Sequence, residues 1–308
     1  MKTVAIIQAR MSSTRLPGKV LMDLGSHPIL LWVTRAARMI PGVDKVIVAT
    51  SDLSTDDDIF TWCEDNNIHC FRGSENDVLL RFAEAAKAYS ADTIMRLTAD
   101  CPLLDPQICG TVLSLFKYSK ADYSSNCSPP TWPDGLDCEV FTAAALSEAN
   151  EKAVKLLERE HVTPFIHYNR HRYKISSMPC PIAGLLNERW TLDRPNDLTF
   201  LRKIVSEISC EKPPSYLDIL EVLERSPEIR TINKMNDRNE GLTRSLIKEP
   251  TRTAQTYDRS RALLSRAKKS IPLGSQTFSK SYIQYPEQSP MFLTYGNGGC
   301  VWDVDGNR

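Results

Sequence analysis

Three short apolar runs do most to restrict the fold: Thr3-Val4-Ala5-Ile6-Ile7, Val46-Ile47-Val48-Ala49-Thr50 and Thr93-Ile94-Met95-Arg96-Leu97. They are rich in β-branched residues and lack the strict polar alternation of a strand with one wet face. Such runs belong to strands covered on both sides. Between them lie segments of helical period. Residues 28–39 put Ile29, Leu30, Val33, Ala36, Ala37 and Ile40 on one face. Residues 56–66 open with Asp56-Asp57-Asp58, carboxylates where the helix dipole favours them, and read as a solvated helix start. Helices over 77–89 and 106–118 follow, with Cys70-Phe71 a brief strand. This alternation predicts an α/β fold: a mostly parallel, mixed sheet with helices on both faces. Ligands of such sheets sit beyond the carboxyl ends of the strands.

The remainder is less regular. Residues 124–140 read as a loop entering a strand at 138–141, residues 142–160 as one helix, 172–178 as an edge strand, and 196–209 and 215–225 as two more helices. Residues 233–257 are polar and aperiodic, as a linker is. A basic amphipathic helix is expected over 258–270. The chain then passes Pro272, Gly274 and Pro286 and stops after an Asp305-Gly306-Asn307 turn that should lead into another strand. The expectation is a domain at 1–232, a linker at 233–257, and a truncated fragment of a second domain at 258–308.

Lys+Arg and Asp+Glu both number 38. Net neutrality excludes a general nucleic-acid coat while allowing a local basic pocket. The 9 cysteines are odd in number and form no C-x-x-C pair. They read as reduced thiols of a cytoplasmic protein, not as a disulfide framework or zinc site. No stretch reaches the roughly 20 apolar residues that cross a bilayer, and residues 1–8 read as a strand, not as a signal peptide.

Five segments carry residues suited to chemistry. The loop Gln8-Ala9-Arg10-Met11-Ser12-Ser13-Thr14-Arg15-Leu16-Pro17-Gly18-Lys19 follows the first strand. Its backbone amides, hydroxyls and three cations suit a triphosphate, which carries about four negative charges; an ordinary basic loop is the alternative. It is not a G-x-x-x-x-G-K-[ST] loop. Asp100 lies just past the third buried strand and suits a Mg²⁺ ion held against phosphates; Asp105 suits the helix cap better. Asp193 offers a second metal carboxylate or precedes a helix, with Asn196 or Asp197 as its cap. In Pro133-Asp134-Gly135-Leu136-Asp137-Cys138-Glu139 a turn explains Asp134-Gly135. Asp137 and Glu139 alternate onto one face and suit hydroxyls or an amine of an acceptor. His161, at a helix end, either orients an acceptor or phosphate or is a capping or buried histidine. His167 and His171 read as surface or packing residues.

Together, these motifs resemble the spore coat polysaccharide biosynthesis protein F family, relatives of the cytidylyltransferases that make CMP-Kdo and CMP-sialic acids. The match includes Phe71-Arg72-Gly73-Ser74-x-x-Asp77-Val78-Leu79, Leu97-Thr98-x-Asp100-Cys101-Pro102-Leu103, Pro133 to Val140, Arg159-Glu160-His161-Val162-Thr163-Pro164 and Arg189-Trp190-Thr191-Leu192-Asp193, over about residues 1–230. The resemblance implies a GT-A-like nucleotidyltransferase and a homodimer. Arg10, Ser13 and Lys19 would hold the triphosphate, with Ala9 and Arg15 beside them, and Arg72, Ser74 and Asp77 the base and ribose. Asp100 and Asp193 would hold Mg²⁺. Asp134, Asp137, Glu139, Glu160, His161 and Arg189 would line the acceptor, and Arg10, Lys19 and Asp100 would be catalytic. The expected reaction is attack by an acidic sugar, phosphate or phosphonate on the α-phosphorus of CTP. A GTP- or UTP-dependent sugar-1-phosphate transferase and a non-catalytic scaffold are the alternatives. Cys101 stands where the Kdo enzymes carry glutamate, which argues against Kdo as acceptor. The tail, Ser260 to Gly274 and Gly299 to Asn307, resembles the opening of class III aminotransferases. Their pyridoxal-phosphate lysine would lie in the absent remainder.

Overall fold

Alternate residues of the first strand, β1 (Thr3–Gln8), enter two different cores. Ala5 and Ile7 join one apolar cluster, Val4 and Ile6 the other, which is why the run shows no polar phase. The structure, a computed structural model, describes residues 1–209, 211–236, 238, 257–271, 291–297 and 300–307. A hairpin of β2 (Asp23–Leu24) and β3 (His27–Pro28) precedes α1 (Ile29–Arg38). Then come β4 (Lys45–Ser51), α2 (Asp57–Asp65), β5 (His69–Gly73), α3 (Val78–Ala88), β6 (Thr93–Thr98) and α4 (Pro106–Ser119). The next elements are β7 (Tyr123–Ser125), β8 (Glu139–Thr142), α5 (Ala143–Lys152), α6 (Leu156–His161), α7 (Pro164–Tyr168) and β9 (Ile175–Ser177). Helices α8 (Pro195–Ser206) and α9 (Tyr216–Arg225) follow.

Seven strands form one sheet in the order β5-β4-β1-β6-β8-β7-β9. All neighbours are parallel except at β8, which pairs antiparallel with β6 and β7. Residues of α1, α2 and α4 cover one face, and those of α3, α5 and α7 the other. The mixed α/β sheet expected from the sequence is the one observed. Reversal of β8 has a functional consequence. Its first residue, Glu139, pairs with Arg96 near the carboxyl end of β6, so the acidic segment before β8 joins the end of the sheet where the loops after β1, β5 and β6 gather. A third cluster ties Trp190 and Leu192 to α8 and α9.

Three local expectations are corrected. The loop expected from residue 124 includes β7, whose Tyr123 pairs with both Phe141 and Ile175. The helix expected over 142–160 breaks after Lys152, and α6 starts afresh, so that Arg159 reaches back to the Asn150 carbonyl at 2.7 Å. Residues expected to open a linker at 233 are tied to the first unit: Asn233 is buried, and Asn236 and Arg238 hydrogen-bond Asp197 and Asp137. Most of 233–257, with Pro272, Gly274 and Pro286, lies outside the described residues.

The chain divides into units 1–246 and 247–308. In the second, α10 (Asp258–Ala267) and the hairpin β10 (Leu293–Asn297) with β11 (Cys300–Asp303) are described. Asp305 caps α10 from afar, accepting from the Arg259 and Ser260 amides at 2.6 and 2.9 Å. Among the described residues no helix is long and apolar enough to cross a membrane. The cysteines whose state is described are free.

Candidate active site

The loop after β1 is folded onto a buried anchor. The Met11 amide donates to Asp56 at 2.7 Å, and Thr50 Oγ1 and the Ser51 amide donate to the same carboxylate at 2.9 and 3.0 Å. Asp56 is therefore wholly buried instead of opening a solvated helix, and only Asp57 and Asp58 fit that reading. Burial would raise its pKa, but the bonds from Met11, Ser51 and Thr50 hold it below the usual carboxylate range. The loop closes where the Gly18 amide donates to the Met11 carbonyl at 3.0 Å, with Gly18 at φ 70, a turn that suits glycine. Ala9 is buried, bonding the Ala49 carbonyl through its amide, and Ser13 accepts from the Leu16 amide at 3.4 Å.

Lys19 then enters the molecule. Its Nζ donates at 2.7 Å to Asp100 Oδ2, to Asp193 Oδ1 and to the Leu192 carbonyl. Burial alone would weaken its charge, but the two carboxylates raise its pKa. Arg15 binds the other Asp193 oxygen at 2.9 Å. Burial acts against Asp193, and Lys19 and Arg15 overcome it, holding the carboxyl down at about 2. Arg189, expected at the acceptor, lies within this cluster: it reaches Asp134 at 2.7 Å, Asp197 at 3.0 Å and Asp193 at 3.3 Å. Asp197 also accepts from the Asp193 and Arg194 amides at 3.0 Å, so one carboxylate caps α8 and orients Arg189. Asp105 caps α4, accepting from the Gln107 amide at 2.8 Å.

Backbone contact stitches the two acidic segments together. The Trp190 amide donates to the Asp134 carbonyl at 2.6 Å and the Leu192 amide to the Asp100 carbonyl at 2.8 Å. Gly135 makes this approach possible: at φ 114, a Cβ there would lie 2.6–2.8 Å from backbone atoms of Trp190 and Thr191. Gly135→Ala is expected to cost about 2–3 kcal/mol from overpacking and a positive φ, seen as a lower urea midpoint at unchanged m. Wild-type stability would show that the two segments can part.

On the far side of the loop, Arg72 is bonded to the Ser51 and Leu53 carbonyls at 2.9 and 2.8 Å and paired with Asp57 at 2.8 Å. Ser74 Oγ accepts from the Asp77 amide at 3.1 Å, and Asp77 caps α3 by accepting from Leu80 at 2.9 Å. Arg159 grips the same Asp77 carboxylate. Beneath this segment lies Arg81, wholly buried. Its Nη1 donates to the Ser74 carbonyl at 2.6 Å, while Nε and Nη2 meet no partner among the described residues. Burial, with repulsion from Arg10, lowers its pKa to about 10. A buried guanidinium without a carboxylate hydrogen-bonded to it favours an anion nearby. Sequence reasoning passed over Arg81 because an arginine at helical spacing looks like a solvated one.

Glu139 is a buried hub. It pairs with Arg96, and Tyr123 and Thr163 hydroxyls donate to Oε1 at 2.7 Å. His167, expected as a packing residue, is 3.5 Å from it. Burial pushes Glu139 up, but Arg96, His167 and Tyr123 hold it well below the carboxylate range. Asp137 is its opposite: burial, with Asp134 and Glu139, pushes it up to about 7 although Arg238 opposes, and Arg238 donates to it at 2.8 Å. The expected face shared by Asp137 and Glu139 is thus divided between two arginines that the sequence reading did not single out.

His161 and Glu160 sit at a strained turn, with Glu160 4.0 Å from the ring. Val162 has φ 71 and ψ −56, and the Thr163 amide donates to the His161 carbonyl at 2.8 Å. This γ-turn is rare for a β-branched residue, and such strain, of order 1–3 kcal/mol, gathers at functional sites. It is imposed from both sides, by Arg159 on Asp77 and Thr163 on Glu139. Burial, with Arg96 and Arg10 and against Glu160, lowers His161 to about 4.

The shifts of His161, Asp137 and Asp193 together set the response of stability to acid. The unfolded histidine takes up its proton near pH 6.5 and the folded one only near 4, so its contribution to stability falls as pH drops through that window. Asp137, raised to about 7 from an unfolded value of about 3.9, contributes with the opposite sign over much of it. Asp193 contributes stability above the unfolded value, about 3.9, which is lost as pH falls toward about 2. His161→Gln should gain in thermal midpoint relative to wild type as pH falls from about 6.5 to 4, and leave the Asp193 loss unchanged, in midpoints recorded from pH 7 to 2. A difference between the two proteins that does not change with pH over that range would rule out the lowered histidine as its source.

With this geometry established, likeness to known proteins becomes informative. The family model described as cytidylyltransferase matches residues 4–204. The spore coat polysaccharide biosynthesis protein SpsF of Bacillus subtilis is 31% identical over 232 residues, covering 73% of this chain and 95% of that protein. A 3-deoxy-manno-octulosonate cytidylyltransferase of Chlorobium limicola is 32% identical over 136 residues, 43% of this chain and 52% of that protein. The solved structure of a cytidylyltransferase from Leptospira borgpetersenii superposes with a TM-score of 0.72 at 33% identity, covering 78% of this chain and 100% of that one. The chain belongs to the cytidylyltransferase family and is a nucleotidyltransferase.

Proposed function

We propose that this protein transfers CMP from CTP to an acidic sugar, or to a phosphate or phosphonate, in the synthesis of a glycan or surface-polysaccharide precursor. One observation carries the reading: Lys19, Asp100 and Asp193 converge at 2.7 Å at the end of a loop that also bears Arg10 and Arg15. The relatives named for a spore coat polysaccharide and for a 3-deoxy sugar acid support the acceptor class.

An acceptor oxygen attacks the α-phosphorus, and the bond to the β-phosphate oxygen breaks, releasing pyrophosphate. Such transfer depends on positioning and charge more than on a nucleophilic side chain. Arg10, Arg15 and Lys19 are cations for the triphosphate, with Ser13 and Ala9 shaping the loop. Arg72, Ser74 and Asp77 frame the base and ribose, and Arg81 lies behind them. His161, neutral near pH 7, and Glu160 face the acceptor. Asp137, held by Arg238, is a further group for the acceptor, while Glu139, Asp134 and Arg189 act by holding the site's walls.

Asp100 and Asp193 suit a divalent cation of the Mg²⁺ kind. The Lys19 ammonium stands among three oxygens, two of them carboxylate, which is a hard-cation donor set. Among the described residues no group of three or more His, Cys, Asp or Glu could hold a metal, so two carboxylates would share the ion with phosphate oxygens and water. Once bound, the ion would offset charge on the phosphates. The homodimer, the cytoplasmic location, and residues 258–308 as the opening of a class III aminotransferase belong to the same proposal, supported by sequence resemblance and composition.

Thermal shift with CTP, GTP, UTP and ATP plus Mg²⁺ tests the base: CTP alone should raise the midpoint by several degrees. A response to GTP or UTP only would favour a sugar-1-phosphate transferase, and none at all a scaffold. Pyrophosphate release with CTP across acidic sugars, sugar phosphates and phosphonates then identifies the acceptor.

A further inference from the structure

Lys19 uses all three of its ammonium donors on the proposed metal site: Asp100 Oδ2, Asp193 Oδ1 and the Leu192 carbonyl, each at 2.7 Å. The side chain is buried, and it leaves no room for a second cation at the same oxygens. A divalent ion there would need metal–oxygen distances of about 2.0–2.1 Å. We propose that Lys19 makes cation binding conditional on the nucleotide: it closes the Asp100–Asp193 site in the free protein and opens it by moving to the triphosphate. This rests on the reading of Asp100 and Asp193 as metal-binding carboxylates.

Three features make Lys19 the mobile member. Arg189, the other deeply buried cation of the cluster, is locked by Asp134 and Asp197 as well as Asp193, so it has nowhere to go. Lys19 hangs on a flexible four-carbon stem and follows Gly18, at the end of the loop proposed to take the triphosphate. Asp100 has no such reserve of partners: besides Lys19, its carboxylate meets only the Cys101 thiol, at 3.7 Å, among the described residues. When Lys19 leaves, Asp100 therefore gains free lone pairs.

The ion pairs run in the same direction. Asp100, Asp134, Asp193 and Asp197 are paired with Lys19, Arg15 and Arg189, and Arg238 also acts on Asp134. Withdrawing Lys19 removes the cation that pairs with Asp100 among the described residues and one of those on Asp193, which leaves the two carboxylates short of positive charge that a divalent cation would supply. The triphosphate, with about four charges of its own, supplies the competing attraction that draws the ammonium away.

The test uses Mn²⁺ as the probe and the full chain, with bound and free ion separated by electron paramagnetic resonance. Wild type without nucleotide should show no saturable Mn²⁺ site at submillimolar concentration, and one site per chain with the α,β-methylene analogue of CTP. Lys19→Gln and Lys19→Met should bind Mn²⁺ without nucleotide at least tenfold more tightly than wild type. Adding Asp100→Asn to either should abolish that binding, and Lys19→Arg, which keeps the cation, should stay closed. Circular dichroism identifies which neutral variants are folded, and either one suffices. Wild type binding Mn²⁺ alone as tightly as the neutral variants, with loss in Asp100→Asn, would overturn the gate and keep the metal site. No Mn²⁺ bound by a folded neutral variant, with or without the analogue, would overturn the metal reading itself.

Discussion

Asp100→Ala is expected to lower kcat by about a thousandfold, roughly 4 kcal/mol of transition-state stabilisation, while the protein stays folded. The two halves of this expectation have separate causes. Asp100 follows β6 through a backbone held from outside, by the Leu192 amide at 2.8 Å and the Thr191 hydroxyl at 3.2 Å on its carbonyl, and neither bond uses the side chain. Lys19 keeps Asp193 and the Leu192 carbonyl when the carboxylate goes, so no buried cation is stranded. The thermal midpoint should therefore stay within a few degrees of wild type. What is lost is the one carboxylate at the end of β6 that can hold a cation against the α-phosphate. Pyrophosphate release by the purified variant decides the matter, and near-normal turnover with Mg²⁺ would remove Asp100 from the mechanism.

Arg189→Met is expected to act the other way round, on stability first. Arg189 is the shared partner of Asp134, Asp193 and Asp197, at 2.7, 3.3 and 3.0 Å, and Asp197 is wholly buried. Removing one member of a buried ionic cluster typically costs about 3–5 kcal/mol because the remaining charges lose compensation. For a domain of this size that lowers the thermal midpoint by roughly 10 °C. A second change, Asp197→Asn, should recover part of the loss if uncompensated charge is the cause, whereas lost packing alone would make the double variant no better than the single one. Thermal unfolding of the three proteins measures this coupling.

Much of this architecture is legible in the sequence. Strands β1, β4 and β6 announced themselves because burial on two faces demands unbroken apolar, β-branched runs, and α4 because Asp105-Pro106 is a local capping signal. The loop 8–19 was legible for the same reason: its cations, glycine and hydroxyls are neighbours in the chain. Less visible was what depends on partners distant in sequence. Asp56 looked solvated because one of the amides that donates to it belongs to Met11, 45 residues away. The helix expected over 142–160 gave way at Ala153 because nothing local, neither proline nor glycine, marks a break that serves the Arg159–Asp77 pair.

The sequence by itself determined the sheet, the order of its loops and the kinds of side chain available at their ends, since these follow from periodicity and short-range chemistry. Tertiary structure alone decided which of those side chains meet. Lys19 lies 81 residues from Asp100 and 174 from Asp193, and only the folded sheet brings them to one point. It also placed Arg189, Asp134 and Glu139, expected at the acceptor, in buried ion pairs with other charges, and it revealed Arg81. A charge at a given position carries no local mark of its counter-ion. Its partner is fixed by packing, because only a buried charge is compelled to find one.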